Sequence, residues 1–548
     1  MNSINRRSVL LAGLGVAGSS ALTACSGGSG SSPGAPSLVG PDSKLVAATD
    51  KRRRSTGKVH NVTLTAAPAM LDLGGGVLAK SWAFSGRAPG KEIRLSAGDT
   101  LAAELSNQLP NRTATSVHWH GIALRNSMDG VPPATQTAVR AGSNFAYRFV
   151  ADAPGTYFFH PHVGVQLDRG LYGPLIVEDP KEPLSYDDEW VIVLDDWIDG
   201  TSGTPDEVLA GLKHGMGGMD MGGASPSPSS STGDDDMGGM GGMDMSHLSM
   251  GGGTSDNATA SPPRSGGMSM KFMLMDAQSK LLGGDAGDVK YPYHLVNGRV
   301  PADPDVFTSK PGKRVRLRII NAGGDTAYRV ALGGHKLTVT HTDGFPVQHQ
   351  QVDALLVGMA ERYDVLVTLS DGVFPLVALA EGKKASGMAL VRTGSAGAPK
   401  PTVRPKELDG MTMTAAQLKA ADDVRLETKQ ADRVHRIELT GGMDTYDWGI
   451  NGQRFDMNNP TANPVLVEQG ERVRLDFVNK TDMWHPMHLH GHTYQLARGG
   501  PRKDTTIVLP KTTLSVFFDA DNPGQWLLHC HNAYHGAAGM MALVAYQA

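Results

Sequence analysis

Three segments of this chain repeat one pattern. They are SAGDTLAAELSNQLP at 96–110, KPGKRVRLRIINAGG at 310–324 and EQGERVRLDFVNKTD at 468–482. Each has a glycine turn, then an alternating run, then an asparagine. In the second and third copies apolar and charged residues alternate cleanly, which marks a strand with one buried face. The copies lie more than a hundred residues apart, so the repeating unit is a whole domain and not a hairpin. Three copies predict an all-β chain of three related Greek-key β-sandwich domains. A chain of 548 residues is also too long for a single core. Its 68 glycines and 33 prolines favour many short strands joined by turns over long helices.

The expected organisation is a leader at 1–25, a flexible tether at 26–57, and domains at 58–186, 187–394 and 425–548. A linker at 395–424 precedes the last domain. The leader carries Arg6-Arg7 followed by a short, small-residue apolar stretch, a signal-peptide layout of twin-arginine type. That stretch is too short and too glycine-rich for a membrane-spanning helix. It ends Leu22-Thr23-Ala24-Cys25, which resembles a lipobox with Cys25 as the lipidated residue. An ordinary signal peptide cut after Ala21 is the alternative. Both imply export to the periplasm or cell surface, with a lipid at Cys25 as the only membrane attachment. The net charge of −4 gives no argument for a nucleic-acid partner.

The second domain is interrupted at 214–275 by a Gly/Ser/Asp-rich stretch holding twelve methionines. It has no apolar periodicity, and its composition cannot build a core. Glycine-padded thioethers suit Cu(I); a low-complexity insertion without function is the plainer reading.

Beyond the leader there is one cysteine, Cys530, in the run His529-Cys530-His531-Asn532-Ala533-Tyr534-His535-Gly536-Ala537-Ala538-Gly539-Met540. A lone thiol between two imidazoles has no disulfide partner to find. Thiolate, imidazole and thioether are the ligands of a blue-copper electron-transfer site. Cys530 and His535 fit the strong positions and Met540 the weak axial one. His529 and His531 are then left over. Three further histidine clusters stand elsewhere: His118-Trp119-His120-Gly121, His160-Pro161-His162 and His485-Pro486-Met487-His488-Leu489-His490. Histidines two apart on a strand share a face. A single histidine is ordinarily structural, but repeated H-x-H units in four places of one chain point to metal.

HWHG, HPH, HPMHLHG and HCHx3Hx4M, in that order, resemble the four copper-binding motifs of the multicopper oxidases. The resemblance runs from about residue 60 to the end. It implies three cupredoxin-like domains and four copper ions. By this resemblance His485, Cys530 and His535 hold the type 1 copper with Met540 axial, and His118 and His488 hold the type 2 copper. His120, His160 and His531 hold one type 3 ion, and His162, His490 and His529 the other. Electrons then pass from substrate to the type 1 copper, across Cys530 and its two neighbours, to a trinuclear cluster that reduces O₂ to water. Substrate is expected at an exposed edge of His485 or His535. The second motif has Pro161 where the family usually has serine, which leaves both imidazoles free. Asp129 matches an acid that relatives use to manage protons; the plainer reading is a turn aspartate before Gly130. Gly536 stands where copper-exporting relatives carry an acid.

Two enzymatic readings follow, a Cu(I) oxidase in copper tolerance and a laccase acting on phenols. The Met-rich stretch and Met483 beside His485 favour the first. A copper-sequestering protein without catalysis is the third reading, and the complete histidine set argues against it.

Overall fold

The computed structural model describes residues 37–214 and 271–548. The leader with Cys25, the first part of the tether and residues 215–270 of the Met-rich insertion lie outside the described residues. Nearly all regular structure is strand, as expected. Apart from a two-stranded sheet of Gln278–Ser279 with Gly284–Asp285, the described strands form three pairs of sheets, one pair within each expected domain. The first sandwich sets four strands against four, the second six against six, and the third six against five.

The three echoes occupy one topological place. Asp99–Asn107, Arg314–Asn321 and Arg472–Asn479 each pair in parallel with the first strand of their domain and antiparallel with a later one. The asparagine that closes each echo is buried. Its amide nitrogen donates to two backbone carbonyls: Thr113 and Val139 from Asn107, Thr326 and Val357 from Asn321, Met483 and Val508 from Asn479. Its side-chain oxygen accepts from the backbone nitrogen two residues on, at 2.9–3.0 Å in all three. A buried corner leaves carbonyls with no ladder partner, and such groups must be satisfied. The repeated asparagine does this with one side chain.

Four expectations need correction. The charged face of Arg314–Asn321 is not solvated: Arg316 and Arg318 are 2% and 3% exposed and converge on Asp364, with Arg318 also donating to Thr156 of the first sandwich. Alternation marks two faces, and here a neighbouring domain covers the polar one. The tether is not loose throughout, because Val39 donates to Tyr546 at the C-terminus and helix α1, Lys44–Asp50, buries Val46. The 395–424 linker is likewise packed: Thr412–Met413 adds an edge strand to the second domain, and Leu408 and Leu418 are buried. At the far end of the insertion Phe272 and Met273 join the core beside helix α2, Pro205–His214.

Candidate metal centre

Two strand pairs carry the histidines. His118–His120 lies antiparallel to Gly155–His160 with His118 opposite His160. In the third sandwich His485–Leu489 lies beside Gln525–Cys530, with Met487 opposite Cys530 and His488 opposite His529. Since side chains alternate, His485 and Cys530 fall on one face and His488 and His529 on the other. That is why neighbours in sequence serve two sites. Glycine after the first H-x-H is required: a Cβ on Gly121, at φ +87°, would lie 2.4 Å from Arg362 and 2.7 Å from the Asp504 carboxylate. Gly130 has φ +80°, and a Cβ there would overlap the Val117 carbonyl at 1.8 Å. This seats Asp129 directly under His118.

The structure brings candidate ligand atoms together, with His120 in two of the sets. Four sets, each with ligand atoms within 4.8 Å of one another, are His118/His120/His488, His120/His160/His531, His162/His490/His529 and His485/Cys530/His535. In the last, Sγ of Cys530 lies 3.6 and 3.7 Å from Nδ1 of His485 and His535, and those two nitrogens are 3.1 Å apart. Met540 is buried, and its backbone carbonyl accepts from the Cys530 nitrogen. Of the ten cluster histidines only His162 is partly exposed.

The rings are held from behind. Nδ1 of His118, His160, His488 and His529 each donates to a backbone carbonyl at 2.9 Å, from Asp129, Pro161, Asp504 and Cys530 respectively. Pro161 thus keeps its carbonyl in use although it lacks an N–H. His490 Nδ1 lies 3.0 Å from Asp129 Oδ2, and His120 Nε2 lies 3.1 Å from Asp504 Oδ1. Such bonds fix the tautomer and leave the opposite nitrogen facing the shared space. There Nε2 of His118 and Nε2 of His488 are buried with no hydrogen-bond partner, and Nε2 of His531 lies 3.3 Å from Nε2 of His160. Burial, with repulsion from neighbouring rings, holds His120, His160, His162, His485, His490, His529 and His531 well below the usual histidine range. They are neutral imidazoles with lone pairs converging, the form that binds metal. Orphaned ligand atoms and a thiol against two rings fit copper.

Neither His485 nor His535 has the expected exposed edge; both are 0% exposed. His485 Nε2 lies 2.8 Å from the Thr481 hydroxyl, and His535 Nε2 lies 2.9 Å from Asp288 Oδ2. Burial opposes charge on His535, yet the Asp288 carboxylate and the Cys530 thiol outweigh it and lift the ring to about 10. Met483 is 4% exposed and packs in the core, so it offers nothing to an ion arriving from solvent. The sequence reading missed Asp504, Asp288, Arg362 and Thr481, which stand in no motif. A cavity of about 210 Å³, lined by apolar residues such as Val131, Pro132 and Leu209, reaches His162 and His529.

Comparison with known proteins agrees with this geometry. Family models described as multicopper oxidase match residues 66–182, 188–396 and 429–548. The multicopper oxidase MmcO of Mycobacterium tuberculosis is 44% identical over 538 residues, covering 97% of this chain and 95% of that protein. The chain belongs to the multicopper oxidase family. It is an oxidoreductase that uses copper and O₂. Among other relatives, the copper resistance protein A homolog of Pseudomonas syringae pv. tomato is 29% identical, covering 83% of this chain and 87% of its own. The crystal structure of laccase from Botrytis aclada superposes with a TM-score of 0.67 at 22% identity, covering 94% of this chain and 93% of that one, and so shares the cupredoxin-like fold.

Proposed function

We propose that this multicopper oxidase holds four copper ions and couples oxidation of Cu(I), with phenols as a second substrate class, to reduction of O₂ to water. Cys530, His485, His535 and Met540 would hold the type 1 ion, and His118 and His488 the type 2 ion. His120, His160 and His531, and His162, His490 and His529, are assigned to the type 3 pair. One observation carries the reading: Cys530 faces two histidines on one side of its strand while His529 and His531 face six others, four of them across the domain boundary. Bound there, copper supplies one-electron acceptance at the thiolate site and oxygen reduction at the histidine cluster.

The chain's own residues do the rest. The imidazole-carbonyl bonds fix the tautomer and aim of four rings, Asp504 braces His120 while held ionised by Arg362, and Asp129 lies beside the cluster as the carboxyl through which protons pass. The apolar cavity at His162 suits access by dioxygen. Preference for Cu(I) is supported by relatives named as copper resistance proteins and by the Met-rich composition of 214–275. The leader supports export to the cell envelope.

The test is an absorption spectrum of the copper-loaded protein together with oxygen uptake on Cu(I) and on a phenol. An intense blue band that disappears in Cys530→Ser, with uptake on both substrates, is the expected result. A Cys530→Ser protein that kept its colour and turnover would refute the assignment. Colour without oxygen uptake would favour sequestration.

A further inference from the structure

Helix α3, Ala533–Ala538, carries His535, and its placement depends on residues of the second sandwich. Asn532 caps it: the side-chain oxygen accepts from the backbone nitrogens of Tyr534 and His535 at 3.0 and 3.2 Å. The other end of the same amide donates to Asp325 Oδ1 at 2.7 Å. Asp325 is wholly buried. Its carboxylate also accepts from the backbone nitrogens of Asp288 at 3.1 Å and Val289 at 3.0 Å. Asp288 in turn meets the His535 ring at 2.9 Å. The bonds therefore close a circuit, from Asp325 through Asn532 to the backbone of His535, and from the His535 ring through Asp288 back to Asp325. Lys383 secures Asp325 from outside at 2.6 Å.

We propose that Asp325 is a positioning residue for the thiolate copper site, fixing both the backbone and the ring of His535 from a different domain. The inference rests on the reading of Cys530, His485 and His535 as a copper site. A ring held at its main chain and at its far nitrogen has little freedom about either χ angle. Its Nδ1 then keeps one distance and one tilt toward Cys530. Ligand geometry and the hydrogen bonds around it tune a thiolate copper site. A change at Asp325 should therefore be read at the copper, although Asp325 touches no ligand.

The experiment compares the full chain with Asp325→Asn, Asn532→Ser and Asn532→Asp. Serine caps a helix about as well as asparagine, so Asn532→Ser keeps the cap and removes only the reach to Asp325. Asn532→Asp keeps the cap and opposes Asp325. Copper content, thermal unfolding, the blue band and the copper hyperfine splitting are measured on each. The expected result is unchanged copper content with a shifted band and altered splitting in all three variants. The exchanged pair Asp325→Asn with Asn532→Asp should move both back toward the parent. In copper-free protein, amide exchange of α3 should rise several-fold in Asn532→Ser. Spectra that superimpose on the parent, or α3 exchange that stays at the parent's rate, would overturn the proposal. A parent without a blue band would instead sink the copper assignment, and the exchange measurement would still decide whether Asp325 holds α3.

Discussion

Arg362 grips Asp504 through two bonds, at 2.7 and 2.6 Å, with both side chains wholly buried. Arg362 belongs to the second sandwich and Asp504 to the third, and Asp504 meets His120 of the first at 3.1 Å. All three domains thus meet on one carboxylate behind the histidine cluster. Removing one partner of a buried ion pair costs about 3–5 kcal/mol, because the other charge is stranded. Arg362→Met should lower stability by that order in chemical denaturation. It should also reduce copper in the histidine cluster while the blue band persists, which a copper-to-protein ratio and a spectrum would show.

Asp129 serves two rings from opposite sides. Its backbone carbonyl takes His118 and its carboxylate takes His490, at 2.9 and 3.0 Å. Substitution by an uncharged side chain removes the carboxylate contact to His490 and the one to His118, whose Nδ1 also lies 3.2 Å from Oδ1, but the backbone carbonyl remains, so Asp129→Ala should leave His118 in place. Outer partners of metal ligands are worth about 10–100-fold in affinity or activity. Oxygen uptake should fall within that range while reduction of the blue site by substrate under anaerobic conditions stays at the parent's rate.

The asparagine corners carry stability rather than chemistry. Asn321 satisfies the carbonyls of Thr326 and Val357 and the nitrogen of Gly323. Each buried backbone group left unpaired costs about 1–3 kcal/mol. Asn321→Leu should destabilise the protein by several kcal/mol in denaturant titration, and Asn107→Leu and Asn479→Leu should do the same. A loss under about 1 kcal/mol at all three would remove the corner's claimed role.

The echoes and the histidine motifs were legible because each is a local pattern, a period of two ending in asparagine or a pair of rings on one strand face. Asp504, Asp288 and Arg362 were not. Asp504 acts at the site only because Thr505 stands opposite His488 in a strand pairing, and register between distant strands leaves no mark in either sequence. The same blindness explains Arg316 and Arg318, whose alternation reads as a solvated face. Whether such a face meets water or a neighbouring domain depends on how the sandwiches assemble. The 395–424 segment reads as a linker, yet apolar residues in its second half, Leu408, Met413 and Leu418, dock on the second domain.

The metal-free protein should have a stability optimum bounded on both sides. The eight cluster rings pushed below the usual range, His488 included, are neutral when folded and titrate near 6.5 when unfolded. As pH falls below about 6.5 the unfolded chain takes up protons that the folded one refuses, so stability drops. His535 works the other way. Its folded value is raised to about 10, so its contribution is full below about 6.5 and is lost as pH rises through about 10. Thermal unfolding of the apo-protein should show a midpoint that falls steeply from pH 7 to pH 5. A shallower fall between about pH 7 and pH 10 should disappear in Asp288→Asn. A midpoint flat between pH 7 and 5 would mean that the rings are not buried neutral in solution.

The cavity beside His162 makes a kinetic prediction that separates its role from that of the thiolate site. Its walls include Val131, Ala134 and Leu209, and it reaches His162 and His529 of the histidine cluster as well as Cys530 and helix α3, though neither His485 nor His535. If dioxygen travels there, narrowing the mouth must slow reoxidation without touching substrate oxidation. Ala134 is only partly buried at the rim, so Ala134→Trp can fill space without disturbing the core. Anaerobic reduction of the blue site by a phenol should proceed at the parent's rate, while the half-saturating O₂ concentration in steady state rises several-fold. Equal O₂ dependence in the two proteins would assign dioxygen another path. Slowed anaerobic reduction would show that the organic substrate uses this cavity instead.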